Sequence, residues 1–119
     1  MSEQLSHDLI ALLGDGAFIA LVEAFGGTRV YIPVTPDADH EIAAAIGTDM
    51  AHRLGQRYAP AVLRIPLARA FRARHYRAKG LSNAQIARAL GITESGVDKL
   101  FARMDDKPVK GSAQLSLDI

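Results

Sequence analysis

The apolar positions in the first half of the chain follow one pattern twice, 33 residues apart. Residues 6–33 align on residues 39–66 without a gap. The identical pairs in this alignment are His7/His40, Ala11/Ala44, Gly14/Gly47, Leu21/Leu54, Ile32/Ile65 and Pro33/Pro66. Agreement at one fixed offset indicates an internal duplication of a supersecondary unit.

Each copy predicts the order helix, helix, strand. The first helix ends at a glycine, Gly14 or Gly47, because glycine takes the left-handed conformation, and the next residue caps a second helix. That second helix ends near Phe25 or Tyr58. A β-rich run follows, TRVYIP in the first copy and AVLRIP in the second. Proline closes each run, because it cannot donate to a sheet ladder.

One short strand needs a partner for its backbone groups. Two arrangements satisfy the predicted strands: they pair with each other inside one chain, or each pairs with its mate in a dimer. Helix 15–25 is apolar nearly all round, which favours a subunit interface over an ordinary core helix. The predicted dimer contacts are Phe18, Ile19, Leu21, Val22, Val30, Tyr31 and Ile32.

The second half predicts three helices. Residues 67–79 form the first, with Pro66 in its first turn. Its predicted apolar face consists of Leu67, Ala70, Phe71 and His75. The caps predicted for the other two helices are Ser82, with Gln85 in a capping box, and Thr93.

The last two predicted helices, 83–90 and 94–104, have the spacing of a helix-turn-helix. A small residue, Ala87, stands where the helices cross, and Gly91 supplies a positive φ in the turn. Val97 is the branched apolar residue that fixes the angle between the two helices. The remaining positions of this small core are Ile86, Leu90, Ile92 and Leu100. The alternative is a helical hairpin that only packs.

Charge separates the two halves. Residues 1–60 carry three arginines against eight carboxylates, a net charge of −5, whereas residues 61–104 carry nine cations against two carboxylates, a net charge of +7. The acidic half is therefore expected to repel polyanions such as DNA, and the basic half is expected to attract them. A hairpin that only packs does not explain the six basic residues between Arg64 and Lys79, which suit phosphate contacts.

The sequence therefore predicts a surface that contacts double-stranded DNA. Its residues are Arg69, Arg72, Arg74, Arg77, Lys79, Ser82, Thr93, Glu94, Ser95, Lys99 and Arg103. On helix 94–104, Lys99 and Arg103 suit guanine edges or phosphates, Ser95 suits a base or a phosphate, and Glu94 suits a cytosine amine. Asp98 is unfavourable so close to phosphates, and either pairing with Arg88 or Arg103 or discrimination against wrong bases would account for it.

Composition narrows the classes of function. The chain has no cysteine and no apolar run long enough to span a bilayer, so a cytoplasmic protein is expected. Its four histidines lack the spacing of metal ligands, and no phosphate loop, nucleophile elbow or close carboxylate pair occurs. We expect no enzyme activity, no cofactor and no metal.

Three stretches resemble the Mor/C transcription activator family of Mu-like phages and prophages. They are GGTRVYIP at 26–33, AIGTDMAHRL at 45–54 and RAKGLSNAQIARALGITESGV at 77–97. The resemblance implies a homodimer joined through its amino-terminal helices and strands. It also implies two helix-turn-helix domains that bind a promoter and recruit RNA polymerase. Gly26, Gly27, Tyr31 and Pro33 would fall on the strand segment, and 83–104 on the DNA-binding motif.

The predicted architecture is mainly α, with a duplicated helix-helix-strand dimerisation region at 1–63, a helix-turn-helix DNA-binding domain at 64–104 and a flexible tail at 105–119. The predicted function is a dimeric activator of phage or prophage promoters. A repressor or antitoxin-like DNA-binding protein, and a protein-interaction module without DNA binding, remain alternatives.

The end of the chain, QLSLDI at 114–119, alternates apolar and polar residues. It resembles the glutamine-led peptides by which bacterial proteins bind the replication sliding clamp. Gln114 would be the polar anchor, and Leu117 and Ile119 would fill an apolar pocket. A disordered end, or a strand that folds back on the protein itself, is the alternative.

Overall fold

The computed structural model describes residues 2–104, so the predicted tail and its sliding-clamp peptide lie outside the described residues. Within them the protein is mainly helical, as predicted, with six helices and one two-stranded antiparallel sheet. In chain order the elements are α1 Ser2–Phe25, β1 Arg29–Ile32, α2 Glu41–Ile46, α3 Thr48–Tyr58, β2 Ala61–Arg64, α4 Arg69–Ala78, α5 Asn83–Leu90 and α6 Glu94–Ala102.

The two repeat glycines break the helices where the sequence predicts. Gly14 interrupts α1 with φ 85° and ψ 164°. Gly47 separates α2 from α3 with φ 90° and ψ 155°. Two positions 33 residues apart therefore share one backbone conformation, and it is one that glycine adopts without strain. The helix-helix-strand order is confirmed in both copies.

The two strands pair with each other inside one chain. The register sets Arg29 opposite Arg64, Val30 opposite Leu63, Tyr31 opposite Val62 and Ile32 opposite Ala61. Beyond the strand ends, the Ile65 amide donates to the Thr28 carbonyl at 2.8 Å. The intrachain arrangement is thus the one observed of the two that the sequence left open.

The apolar helix and strand residues predicted as dimer contacts form the core of the protomer instead. Six of the seven are buried within one chain: Phe18, Ile19, Leu21, Val22, Val30 and Ile32. Packing inside the chain accounts for their apolarity, and the homodimer stays a prediction. Tyr31 differs, because 54% of its surface is exposed.

The chain divides between Ala68 and Arg69 into two compact units. The division comes five residues after the predicted boundary at 63. The reason is that β2 continues through Arg64, and Ile65 is fully buried as well as hydrogen-bonded to Thr28. The connection between β2 and α4 therefore belongs to the first unit.

The second unit consists of α4, α5 and α6 around one small core. Its buried residues are Ala73, Tyr76, Ile86, Ala87, Leu90 and Val97, with Leu81, Ile92, Leu100, Phe101 and Met104 packed against them. Helices 83–90 and 94–102 are close to their predicted bounds.

The prediction for the first helix of this unit is wrong in two respects, the residue at which the helix begins and the set of side chains that it buries. The helix begins at Arg69, and Leu67 before it is exposed. The buried face is Arg72, Ala73 and Tyr76 rather than the predicted set of Leu67, Ala70, Phe71 and His75. A pattern of apolar residues misses this face because one of its members is an arginine.

Candidate nucleic-acid interface

Short-range hydrogen bonds cap the start of α5 and both sides of the turn between α5 and α6. The Ser82 hydroxyl accepts from the Gln85 amide at 3.2 Å, and the Gln85 side chain accepts from the Ser82 amide at 2.8 Å, which completes the predicted capping box. Gly91 ends α5 with φ 72° and ψ 34°, the left-handed conformation predicted for it. Thr93 then caps α6 by accepting from the Gly96 amide at 3.0 Å.

The packing between α5 and α6 uses the residues that the spacing indicates. Val97 is fully buried, and Ala87 is buried at the small position. A side chain at Gly96 would bring its Cβ within 3.2 Å of the Thr93 hydroxyl oxygen. Glycine at position 96 thus leaves room for the Thr93 cap of its own helix. This packing within the protein is enough to explain the glycine.

Most of the predicted DNA-contacting residues are on the surface. Those that are exposed are Arg69, Arg74, Lys79, Thr93, Glu94, Ser95, Lys99 and Arg103. Ser82 is half-buried and holds the capping box. The exposed cations and the outward side chains of α6 lie in one three-helix unit, whose only carboxylates within residues 69–104 are Glu94 and Asp98.

Arg72 does not belong to this surface. It is 8% exposed, and its guanidinium donates to the Ala89 carbonyl at 3.0 Å and to the Tyr76 hydroxyl at 3.4 Å. The Ala89 carbonyl is in the last turn of α5, where helix carbonyls lack helical partners and cations are favourable. Arg72 therefore joins α4 to α5, and its prediction as a phosphate contact is corrected.

Arg77 is also used inside the unit. Its guanidinium donates to the Leu81 carbonyl at 3.2 Å and to the Asn83 side-chain oxygen, and it lies over the Phe101 ring at 5.0 Å. These contacts connect α4 with the start of α5 and with α6. A predicted phosphate contact is thus a structural residue, because its donors are directed at protein oxygens.

Asp98 has a partner that differs from both predicted ones. Its carboxylate accepts from the Asn83 side-chain nitrogen at 2.7 Å, so the partner is neither Arg88 nor Arg103. Asn83 accepts from Arg77 on its other atom. A polar chain of three residues therefore crosses all three helices and explains an acidic residue on α6.

Sequence reasoning missed one further cationic site. Arg29 and Arg64 are exposed and directly opposite each other on the sheet, next to the exposed pair Tyr31 and Val62. Like charges at opposed positions destabilise a sheet, and an anion between the two guanidinium groups would relieve that repulsion. Only the strand register could reveal this pair, since 35 positions separate the two arginines in the sequence.

None of the described helices has the length and apolarity needed to cross a membrane. Comparisons of the chain with protein-family models, with curated proteins and with solved structures found no match.

Proposed function

We propose that this protein is a sequence-specific regulator of transcription that binds double-stranded DNA through its second unit. The observation that carries the proposal is the pair of helices joined at Gly91, with its caps and core, beside five exposed cations that sequence analysis assigned to DNA. An interior core of this kind fixes one helix against another, and the outer helix then presents its side chains to a groove.

In this proposal α6 is the recognition helix. The exposed Lys99 on α6 and Arg103 just after it have the chemistry to donate to guanine edges, and Ser95 is near the amino end, where groove contacts concentrate. Arg69, Arg74 and Lys79, exposed on or just after α4, would bind phosphates and set the register on the duplex.

The opposed Arg29 and Arg64 give the first unit an anion-binding face of its own. A two-stranded ribbon fits the major groove of DNA, and its exposed face here carries two cations and a tyrosine. We include this face as a second candidate phosphate contact.

Selection from a random-sequence duplex library tests the proposal. The full chain should enrich a defined sequence, and Lys99→Ala should change that sequence without unfolding the protein. If the chain retains no duplex at low salt but binds an acidic polypeptide through the same cations, a protein-interaction module is the better description.

The direction of regulation rests on the resemblance to the Mor/C activators. In a purified transcription system with bacterial RNA polymerase, the protein is expected to raise the output of a promoter that carries the selected sequence. A decrease in output would instead make it a repressor or an antitoxin-like DNA-binding protein.

A further inference from the structure

The outward side of α6 carries two columns of side chains that differ in charge. Residues four positions apart lie one above the other on a helix. Glu94 and Asp98 form one column, and both are exposed carboxylates. Ser95, Lys99 and Arg103 form the other column, and all three are exposed. A groove that received this helix would therefore meet hydrogen-bond acceptors along one side and mainly donors along the other.

Asp98 is the acceptor whose position the protein fixes. Its Oδ1 accepts from the Asn83 side-chain nitrogen at 2.7 Å. The Asn83 side-chain oxygen in turn accepts from the Arg77 guanidinium, which also donates to the Leu81 carbonyl at 3.2 Å. Because a guanidinium can only donate, this contact settles which end of the Asn83 amide faces Asp98. The carboxylate is thus oriented by the protein before any DNA binds.

This network uses only one of the two oxygens of Asp98. The other, Oδ2, has no hydrogen-bond partner among residues 2–104, and the side chain is exposed. Contact with Asn83 does not by itself require a carboxylate, because the amide oxygen of an asparagine at position 98 would accept the same bond without repelling phosphates. The negative charge of Asp98 therefore needs a second explanation.

Base edges in the major groove supply one. Cytosine presents the N4 amine there, whereas guanine and thymine present acceptor oxygens, and adenine has the N7 acceptor beside its amine. A carboxylate accepts from an amine and repels another acceptor. An acceptor held in one position would therefore favour cytosine and also disfavour the wrong bases, and specificity commonly needs this repulsive part.

We propose that Asp98 is a specificity-determining residue that selects cytosine at one position of the target, and that Asn83 is the residue that positions it. The inference rests on the proposed function, because it requires α6 to lie in the major groove. Within that function it assigns the acidic column a task different from that of Lys99 and Arg103, which have the chemistry to donate to guanine.

Selection from a random-sequence duplex library with the wild-type chain and with Asp98→Asn tests the proposal. The variant keeps the bond to Asn83 through its amide oxygen and turns an amine, rather than an oxygen, towards the base. The wild type should select cytosine at one position where the variant favours guanine or thymine. In competition assays, replacing that cytosine should lower the affinity of the wild type about tenfold or more, and should not lower that of the variant.

Two further variants separate positioning from general effects on binding. Asn83→Ala releases the carboxylate without removing it, so the preference for cytosine should weaken without turning towards guanine or thymine. Full preference in this variant would remove Asn83 from the positioning role. Arg74→Ala is the control, because loss of a phosphate contact should weaken binding to all duplexes about equally and leave the preferred base unchanged.

The outcomes distinguish this proposal from the function on which it rests. The same selected sequence from the wild type and Asp98→Asn would overturn the proposal and leave DNA binding intact. Tighter binding of the variant to every duplex, with the base preference preserved, would also overturn it, because Asp98 would then only repel phosphates. If the wild type retains no duplex at low salt, the proposed function fails and the role of Asp98 fails with it.

Discussion

Arg72 and Arg74 carry the same charge on the same helix and differ in role, because residues two positions apart on a helix point to nearly opposite sides. Arg74 is exposed, whereas Arg72 is buried with its donors on Ala89 and Tyr76. The sequence reveals how many cations a helix carries. It does not reveal that Arg72 reaches the Ala89 carbonyl, because that carbonyl is supplied by another helix.

Arg72→Ala should destabilise the second unit by about 2 kcal/mol, since it removes a charged hydrogen bond to a carbonyl and the packing of the arginine stem. Urea unfolding monitored by circular dichroism measures the change. Arg69→Ala is the matched control, because it removes an exposed guanidinium from the same helix and should shift stability by no more than about 0.5 kcal/mol. Equal stability of the two variants would show that Arg72 is not a structural residue.

Tyr58 places a hydroxyl where the first copy has Phe25. Its oxygen is buried without a hydrogen-bond partner among the described residues. Burial raises the pKa of Tyr58, with Asp8 acting in the same direction and the Arg57 guanidinium opposing them. A buried oxygen without a hydrogen-bond partner lowers stability. Phe25, the equivalent residue of the first copy, shows that a phenyl ring without a hydroxyl is accepted at this position of the repeat.

Tyr58→Phe should therefore stabilise the first unit by about 1 kcal/mol at neutral pH. The wild-type protein should also lose stability above about pH 10, because the unfolded tyrosine ionises first while the folded one, with its raised pKa, keeps its proton. Thermal unfolding of both proteins between neutral and alkaline pH is the measurement. A loss of stability in the variant at neutral pH would show that the hydroxyl has a partner, and an equal alkaline decline in both proteins would show that folding does not raise the pKa of Tyr58.

At the scale of elements, signals from neighbouring residues were sufficient to predict the ends of α5 and α6 but insufficient to predict the buried face of α4. The capping box at Ser82, the left-handed Gly91 and the cap at Thr93 depend on neighbours within a few residues, and all three match the prediction. The face of α4 depends on contacts with α5 and α6, which are distant in sequence. The same distinction explains why the partner of Asp98 was not predicted.

Asn83 and Asp98 should be energetically coupled across α5 and α6. Asn83→Ala and Asp98→Ala are each expected to lower stability by about 1 kcal/mol, and the double variant should lose less than the two losses added together. A double-mutant cycle from urea unfolding measures this coupling. Strict additivity would mean that the 2.7 Å bond does not persist in solution.

The two helices that face DNA in the proposal should respond differently to loss of charge. Lys99→Ala on α6 and Arg103→Ala at its carboxyl end should change the preferred sequence, by about 1–3 kcal/mol at the affected base pair. Arg74→Ala on α4 should weaken binding to all sequences about equally, since phosphates carry no sequence information. Competition between the selected duplex and a scrambled one gives both numbers. A uniform effect from all three variants would remove α6 from the role of recognition helix.

At the scale of the molecule, the duplication predicted the elements of the first unit and left their pairing open. The two strands have the same hydrogen-bonding needs in one chain or in two, so the alternation of apolar residues cannot distinguish the cases. The observed register, with β1 antiparallel to β2 of the same chain, does distinguish them, and it becomes visible only in three dimensions. Packing within one chain already buries Phe18, Leu21 and Val22 of the apolar helix at 15–25, and the dimer interface predicted for that helix stays a prediction.

The charge of the whole chain is close to neutral, +1, while the second half is strongly basic. A basic unit attached to an acidic one attracts polyanions mainly to the basic part of the molecule. If this basic part binds DNA, its affinity for any duplex should depend on salt concentration, whatever the target sequence.

The dependence of duplex affinity on salt tests that claim most directly. If Arg69, Arg74 and Lys79 neutralise phosphates, the logarithm of the binding constant should fall linearly with the logarithm of salt concentration, with a slope of about −3. Fluorescence anisotropy with a labelled duplex between about 50 and 200 mM salt gives the slope. Arg74→Ala should reduce its magnitude by about one. No binding at low salt, or an affinity that salt leaves unchanged, would contradict the account.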